Sequence, residues 1–259
     1  MNEQRGAIAV VAQPKGGVGK STAAWEIAEG CARNGIRVCL VDGESAKLVA
    51  NDGEETSTID DLQTVRTTGA LKDQPSAAIV KAPTSIERTA LDMARVHDLV
   101  VVDLGARDWA RYTTLPTAAD LWVIPTDFAG VNMRPAANLF SQHLWPMRHR
   151  RQSPLPVRLL FSCTPTHTTG NPAGLARALE WWSEAIQAVT ELEPPEGSYF
   201  HPDTGFDVFS AQLRLRPSVW DEAANKGATV SELPANIGGK AAAEVEQLLA
   251  EVHAVLTGA

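Results

Sequence analysis

The chain has 259 residues, 44% of them apolar and 21% charged, with 23 Lys and Arg against 31 Asp and Glu, a formal charge of −8. These proportions exclude a mainly disordered chain, which lacks the apolar content to offset its ordering entropy; with 19 Gly and 3 Cys they also exclude a collagen-like or disulfide-scaffold protein. No stretch approaches the ~18 apolar residues needed to cross a bilayer, the polar start Met1 to Arg5 does not open a signal peptide, and the acidic balance argues against coating DNA all over while leaving room for a local basic patch.

Ala7 to Ala12 is a short β-branched run that ends at Gln13-Pro14 and reads as a strand. From Lys20 the period changes. Ala24, Ile27, Ala28 and Cys31 recur at helical spacing, and Asn34-Gly35 ends that helix. Ile36 to Val41 is a second strand, closed by Asp42-Gly43, so the opening segment is a βαβ unit with parallel strands and a right-handed crossover. Residues 44–62 carry Glu44, Asp52, Glu54, Glu55, Asp60 and Asp61 against Lys47 alone. With the rest of 44–76 they read as a solvated acidic loop with room for one helix. Ala78 to Val80, Leu99 to Val102 and Leu121 to Ile124 read as strands, the last two ending at Asp103 and Pro125; Arg158 to Phe161 and Val208 to Ala211 are weaker ones. Helical patterns cover 135–147, 174–189 and 239–256, and 190–206, with Pro194-Pro195, Gly197 and Pro202, reads as a surface loop. Apolar strands alternating with helices predict an α/β fold: one domain over 1–259, a mostly parallel twisted sheet with helices on both faces. Cys31, Cys39 and Cys163 form no C-x-x-C pair and read as reduced thiols packed as small hydrophobes.

The strongest chemical signal is Gln13-Pro14-Lys15-Gly16-Gly17-Val18-Gly19-Lys20-Ser21-Thr22, placed between a strand and a helix. Three glycines let backbone N–H groups turn inward where side chains would obstruct a phosphate. The helix N-terminus adds about half a positive charge. Lys20 supplies a full charge to the β- and γ-phosphates, Ser21 a hydroxyl to Mg²⁺, and Thr22 a bond to a further phosphate oxygen. Pro14 stands where the general phosphate loop has its first Gly.

Lys15 followed by Gly-Gly-Val-Gly-Lys-Ser-Thr resembles the deviant Walker A box of the ParA/MinD ATPase family. The resemblance implies that Gly16, Gly17, Val18, Gly19, Lys20, Ser21 and Thr22 hold ATP. It also implies that Lys15 crosses a homodimer interface to the partner's nucleotide. Asp42-Gly43-Glu44-Ser45-Ala46 stands where the family has an Asp-x-Asp-Pro-Gln-like switch. Asp42 would support Mg²⁺ through water, and Glu44 takes the place of the Asp that orients the attacking water, with Ser-Ala replacing Pro-Gln. Leu99 to Gly105 resembles the second acidic box, with Asp103 holding a Mg²⁺-bound water. Trp122 to Asp127, with Pro125, resembles the strand that reaches the base side of the nucleotide.

Arg214 to Trp220 and Gly227 to Leu233 look like the family's closing strand, basic turn and G-x-x-V-x-E segment. The resemblance makes Arg214 and Arg216 candidates for non-specific DNA binding; surface arginines satisfying loop carbonyls are the other reading. Arg148 to Arg151 is a denser basic cluster that either complements a helix dipole or faces DNA.

Among relatives, the last helix places Val245, Leu248, Leu249, Val252, Val255 and Leu256 on one face and Glu244, Glu246 and Glu251 on the other, a core helix rather than a basic membrane anchor. The Cys spacing does not suit an iron–sulfur carrier. Tyr112 and Tyr199 do not make a tyrosine-rich tail. The expectation is a short ParA-type partition or positioning ATPase without an N-terminal DNA-reading domain. It would be cytoplasmic and nucleoid-associated, slow in hydrolysis, dimeric with ATP and stimulated by a ParB-like centromere- or cargo-binding protein. A nucleotide-binding regulatory module with little turnover is the alternative, and a biosynthetic ligase or amidotransferase relative ranks last.

Overall fold

The computed structural model describes residues 5–43, 57–82, 85–106, 114–151, 153–165, 172–193, 196 and 198–258. Among them, strands β1 (Ala7–Ala12), β2 (Val38–Asp42), β3 (Ala78–Lys81), β4 (Leu99–Leu104), β5 (Leu121–Thr126), β6 (Val157–Pro165) and β7 (Phe206–Leu215) form one sheet in the order β3-β2-β4-β1-β5-β6-β7. Every ladder in it is parallel.

Helices cover both faces, as continuous apolar strands require. On one face lie α1 (Lys20–Arg33), α2 (Thr58–Thr68), α7 (Pro217–Ala224) and α8 (Ala235–Thr257), packed on Ala9, Val11, Leu40, Val101, Val123 and Leu160. On the other lie α3 (Ile86–Ala94), the short α4 (Leu115–Ala118), α5 (Gly130–Leu139) and α6 (Pro172–Thr190), packed on the alternate strand residues such as Val10, Val41, Val102, Ile124 and Phe161. The period of two along each strand thus sorts its side chains between two cores.

α1 begins directly after the glycine loop and ends at Asn34 with Gly35 at φ 82°, as read from the sequence. It lies so close to α8 that a Cβ on Gly30 would stand 2.6 Å from Leu249 Cδ1. Val245, Leu248, Leu249 and Val252 of α8 are buried, so the last helix is a core helix over its apolar face.

Several expectations need correction. Residues 58–68 form α2, the one helix for which the acidic segment left room, and it is opened by a capping box in which Ser57 accepts from Asp60 N and the Asp60 carboxylate accepts from Ser57 N. α3 and α7 have no counterpart among the expected helices. β6 and β7 are longer than expected, and two register shifts lie between them. The pattern around 135–147 starts at Gly130 and passes through a π turn (Phe140–Leu144) into a 3₁₀ turn (Trp145–Arg150). Within 198–206 the chain is not all surface, because His201 and Thr204 are buried in a turn that leads into β7.

Candidate functional site at the carboxyl ends of the central strands

β1, β2 and β4 end at one edge of the sheet, and the residues at that edge are polar where the strands behind them are apolar. In the ladder β1 pairs Val11 with Asp103, and β2 pairs Asp42 with Asp103. Register partners in parallel strands point to the same face, and neighbouring strands lie about 4.8 Å apart. Asp42 follows Leu40 by two residues and Asp103 follows Val101 by two. Both carboxylates therefore point to the α1 face. Asp42 is 2% exposed and Asp103 1%. Gly43 N donates to Asp103 O at 2.9 Å, which ties the two strand ends together.

The loop 13–19 runs from β1 across this edge into α1. Gly17 and Gly19 adopt φ of 75° and 77°, values that favour glycine over any side chain. Lys20 is the first residue of α1 and is buried, with Nζ donating to Lys15 O at 2.8 Å. Its ammonium thus folds back over the loop that it would serve. Lys15, by contrast, is exposed, and Ser21 and Thr22 are half-buried in the first turn of α1.

The loop is braced from two sides by residues to which sequence reasoning gave no role. Ser162, buried near the end of β6, donates to Val18 O at 2.6 Å. Gln13, fully buried, donates from Nε2 to Asn132 O at 3.1 Å, and Asn132 in turn donates to Asp127 at 2.8 Å. A polar residue closing an apolar strand run was the one available signal for Ser162. Beside the loop a cavity of about 200 Å³ is lined by Gly19, Thr22, Ser162, Cys163, Leu213, Leu215, Pro217, Trp220 and Asp221. Pro125 lies inside β5, buried, as the register partner of Leu160, and is not among these lining residues.

The donor set suits a Mg²⁺-bound nucleotide. Magnesium is held by one or two carboxylates plus substrate phosphates and water rather than by an all-protein cage. Two buried carboxylates on adjacent strands, facing the helix that carries Ser21, match that requirement. Among the described residues no group of three or more His, Cys, Asp or Glu offers a cage. Glu44 lies outside the described residues.

Arg214 and Arg216 converge on one carboxylate. Arg214 Nη1 donates to Glu244 Oε1 at 2.9 Å, and Arg216 donates to Glu244 from Nη1 at 2.6 Å and Nη2 at 2.8 Å. The Glu244 contact raises the Arg216 guanidinium pKa further. Neither arginine serves loop carbonyls in these bonds. In the other basic cluster, Arg151 donates to Pro116 O at 2.7 Å and Ala119 O at 2.8 Å, around the end of α4.

Behind the site, α1 is anchored by buried charge. Arg66 of α2 forms an ion pair with Glu29 at 3.1 Å and grips Glu232 with two hydrogen bonds of 2.9 Å, while also donating to Gly227 O and Pro75 O. Burial pushes the Glu232 carboxyl up, but Arg66 and the Thr229 N–H bring it below the usual range. Burial also raises Glu26 to about 8, although Val230 N donates to it at 3.0 Å.

A nucleotide binding domain model that describes CobQ, CobB, MinD and ParA proteins matches residues 9–237. No curated protein sequence matches the chain. Among solved structures, the MinD cell division protein of Aquifex aeolicus superposes with a TM-score of 0.63 at 15% identity, covering 95% of this chain and 97% of that one. The pNOB8 ParA structure bound to nonspecific DNA gives 0.53 at 15% identity over 93% and 99%. A putative plasmid partition protein from Borrelia burgdorferi B31, bound to AMPPNP, gives 0.53 at 14% identity over 95% and 100%. At these identities the superpositions speak for the fold. The all-parallel sheet, the glycine loop at its edge and the domain match agree, and the chain belongs to the CobQ/CobB/MinD/ParA nucleotide-binding family.

Proposed function

We propose that the chain is a dimerising ParA-type ATPase that binds ATP with Mg²⁺, holds non-specific DNA as the ATP dimer and releases it on hydrolysis. The observation that carries this reading is the convergence of the glycine loop, Lys20, Asp42 and Asp103 at one edge of the sheet. The inward N–H groups and Lys20 bind the triphosphate and disperse its charge. Ser21 and the two carboxylates would hold Mg²⁺, which when bound neutralises charge on the phosphate oxygens. Lys15 is exposed and would meet the phosphates of a second copy, and two such contacts would close a homodimer around two nucleotides. Glu44 is the residue proposed to orient the attacking water.

Paired basic turns on the dimer raise DNA avidity. Arg214 and Arg216 remain the proposed contacts, in competition with Glu244. A ParB-like partner that binds a centromere or cargo would accelerate hydrolysis, by analogy with charge supplied in trans to other phosphate-loop enzymes. The pNOB8 ParA structure bound to nonspecific DNA supports the DNA step, and the nucleotide-bound relatives support the ATP step. The departure at Glu44-Ser45-Ala46 and the Glu244 clamp on both arginines favour the second reading, a nucleotide-binding regulatory module with little turnover in plasmid stability or conjugation.

Two substitutions test the proposal. Lys20→Ala should weaken ATP binding by at least 100-fold, measured by calorimetry; unchanged affinity sinks the phosphate-loop assignment. Lys15→Ala should bind ATP yet remain monomeric in sedimentation, and an ATP-dependent dimer equal to the wild type removes the cross-interface role. Phosphate release measured with and without DNA separates the ATPase from the regulatory module.

A further inference from the structure

α2 does more than cover the sheet. Its N-cap residue, Ser57, donates its hydroxyl hydrogen to Asp42 Oδ2, while the same oxygen accepts from Asp60 N at 3.1 Å. A hydroxyl has one donor and two acceptor sites, so both bonds are satisfied at once. Asp60 is held in turn by the Lys81 ammonium at 2.5 Å, at the end of β3. The chain leaves β2 at Asp42 and returns to the Asp42 side chain 15 residues later. α2 is itself fixed to α1 through Arg66 and Glu29. The start of α2 is therefore held at the site by a bond to a carboxylate that also faces the helix bearing Lys20 and Ser21.

We propose that Ser57 is a positioning residue for Asp42: its hydroxyl fixes the carboxylate in the orientation that supports Mg²⁺ beside the nucleotide. The inference rests on the nucleotide reading above. The bond holds one oxygen of Asp42 and with it the rotamer of the carboxylate. Groups that orient a metal-supporting carboxylate in this way typically change metal affinity 10–100-fold when removed. The same hydroxyl caps α2, so docking of that helix and readiness for the metal are joined in one atom.

The test measures ATP affinity as a function of Mg²⁺ concentration with a fluorescent ATP analogue, alongside Tm, on the full chain. Ser57→Ala should need about tenfold more Mg²⁺ for half-maximal tightening. Ser57→Gly should show the same shift with the helix retained, since Gly is tolerated at an N-cap. Ser57→Thr, which keeps a hydroxyl, should restore the wild-type requirement. Asp60→Ala removes the capping-box acceptor and the Lys81 ion pair but leaves the Ser57–Asp42 bond, so it should lower Tm while leaving the Mg²⁺ requirement unchanged. A wild-type requirement in Ser57→Ala and Ser57→Gly overturns the inference, as does a shift in Asp60→Ala equal to theirs. A wild-type protein whose ATP affinity ignores Mg²⁺ overturns the nucleotide reading, and this inference with it.

Discussion

The two helical layers are held to the same sheet by different physics. The α3–α6 layer buries apolar and aromatic groups: Trp182 packs on Phe206 with ring centroids 5.1 Å apart, and Phe140 on Phe206 at 5.8 Å. The α1 layer buries ionisable groups as well, with Glu26, Glu29 and Arg66 each about 1% exposed. Apolar packing is non-directional and tolerates small shifts, whereas a paired guanidinium fork fixes direction and register. The layer that carries Lys20 and Ser21 is the one that holds the buried guanidinium fork. Its reward is a fixed helix, and its risk is that losing one partner leaves the other charge stranded.

Arg66→Ala should break that contrast most. It leaves the buried Glu29 and the half-buried Glu232 without their cation, costing about 3–5 kcal/mol and lowering Tm by on the order of 10 °C. ATP affinity should fall with it, because α1 loses its anchor; calorimetry that finds affinity intact would show the anchor to be structural only. On the opposite layer, Trp182→Phe should cost about 1–2 kcal/mol and leave ATP affinity at the wild-type value, measured on the same samples. Equal losses of affinity in both variants would erase the distinction between the layers.

Glu26 sharpens the comparison through pH. Burial lifts its carboxyl to about 8 from an ordinary value of 4.5, so the folded protein keeps a proton that the unfolded chain releases. Stability from this group is therefore fully present below pH 4.5 and is lost as pH rises to about 8. Glu26→Gln should flatten that decline, with Tm near the wild type at pH 5 and higher by on the order of 5 °C at pH 8. A parallel pair of Tm curves would contradict it. The smallest effect is expected at Glu244. Glu244→Gln loosens the hold on Arg214 and Arg216 and should tighten non-specific DNA binding by about 2- to 3-fold, with a steeper salt dependence. Unaltered binding would take those arginines out of the DNA contact.

Much of the nucleotide edge was legible because its chemistry is local. β1, the glycine loop and the start of α1 occupy consecutive residues, and their motif names the backbone shape it needs. Asp42 and Asp103 were readable as acids closing apolar strands. Their placement side by side was not, because it depends on β4 entering between β1 and β2. Ser162, 144 residues from Val18, and Glu232, 166 residues from Arg66, had no local signal to pair them. α2 was obscured by the acidic composition around it, although Ser57-x-x-Asp60 before Leu62 carried a capping pattern. α3 buries only Ile86, Ala90 and Ala94, too small a stripe to stand out in a polar stretch. The expected β7 is short because Asp207 on one side and Gln212 and Arg214 on the other interrupt its apolar run.

The strand order has a consequence for how the chain is made. β1 and β2 never touch each other as a pair; each waits for β4, whose last residue is Leu104. A ribosome that has released the first 98 residues has therefore delivered the phosphate loop without the strand that lies against it. Long-range pairing of this kind forms slowly and leaves strand edges open to wrong partners in the interval. Fragments that stop before β4 should be captured by chaperones or aggregate, while those extending past Leu104 can close the centre of the sheet.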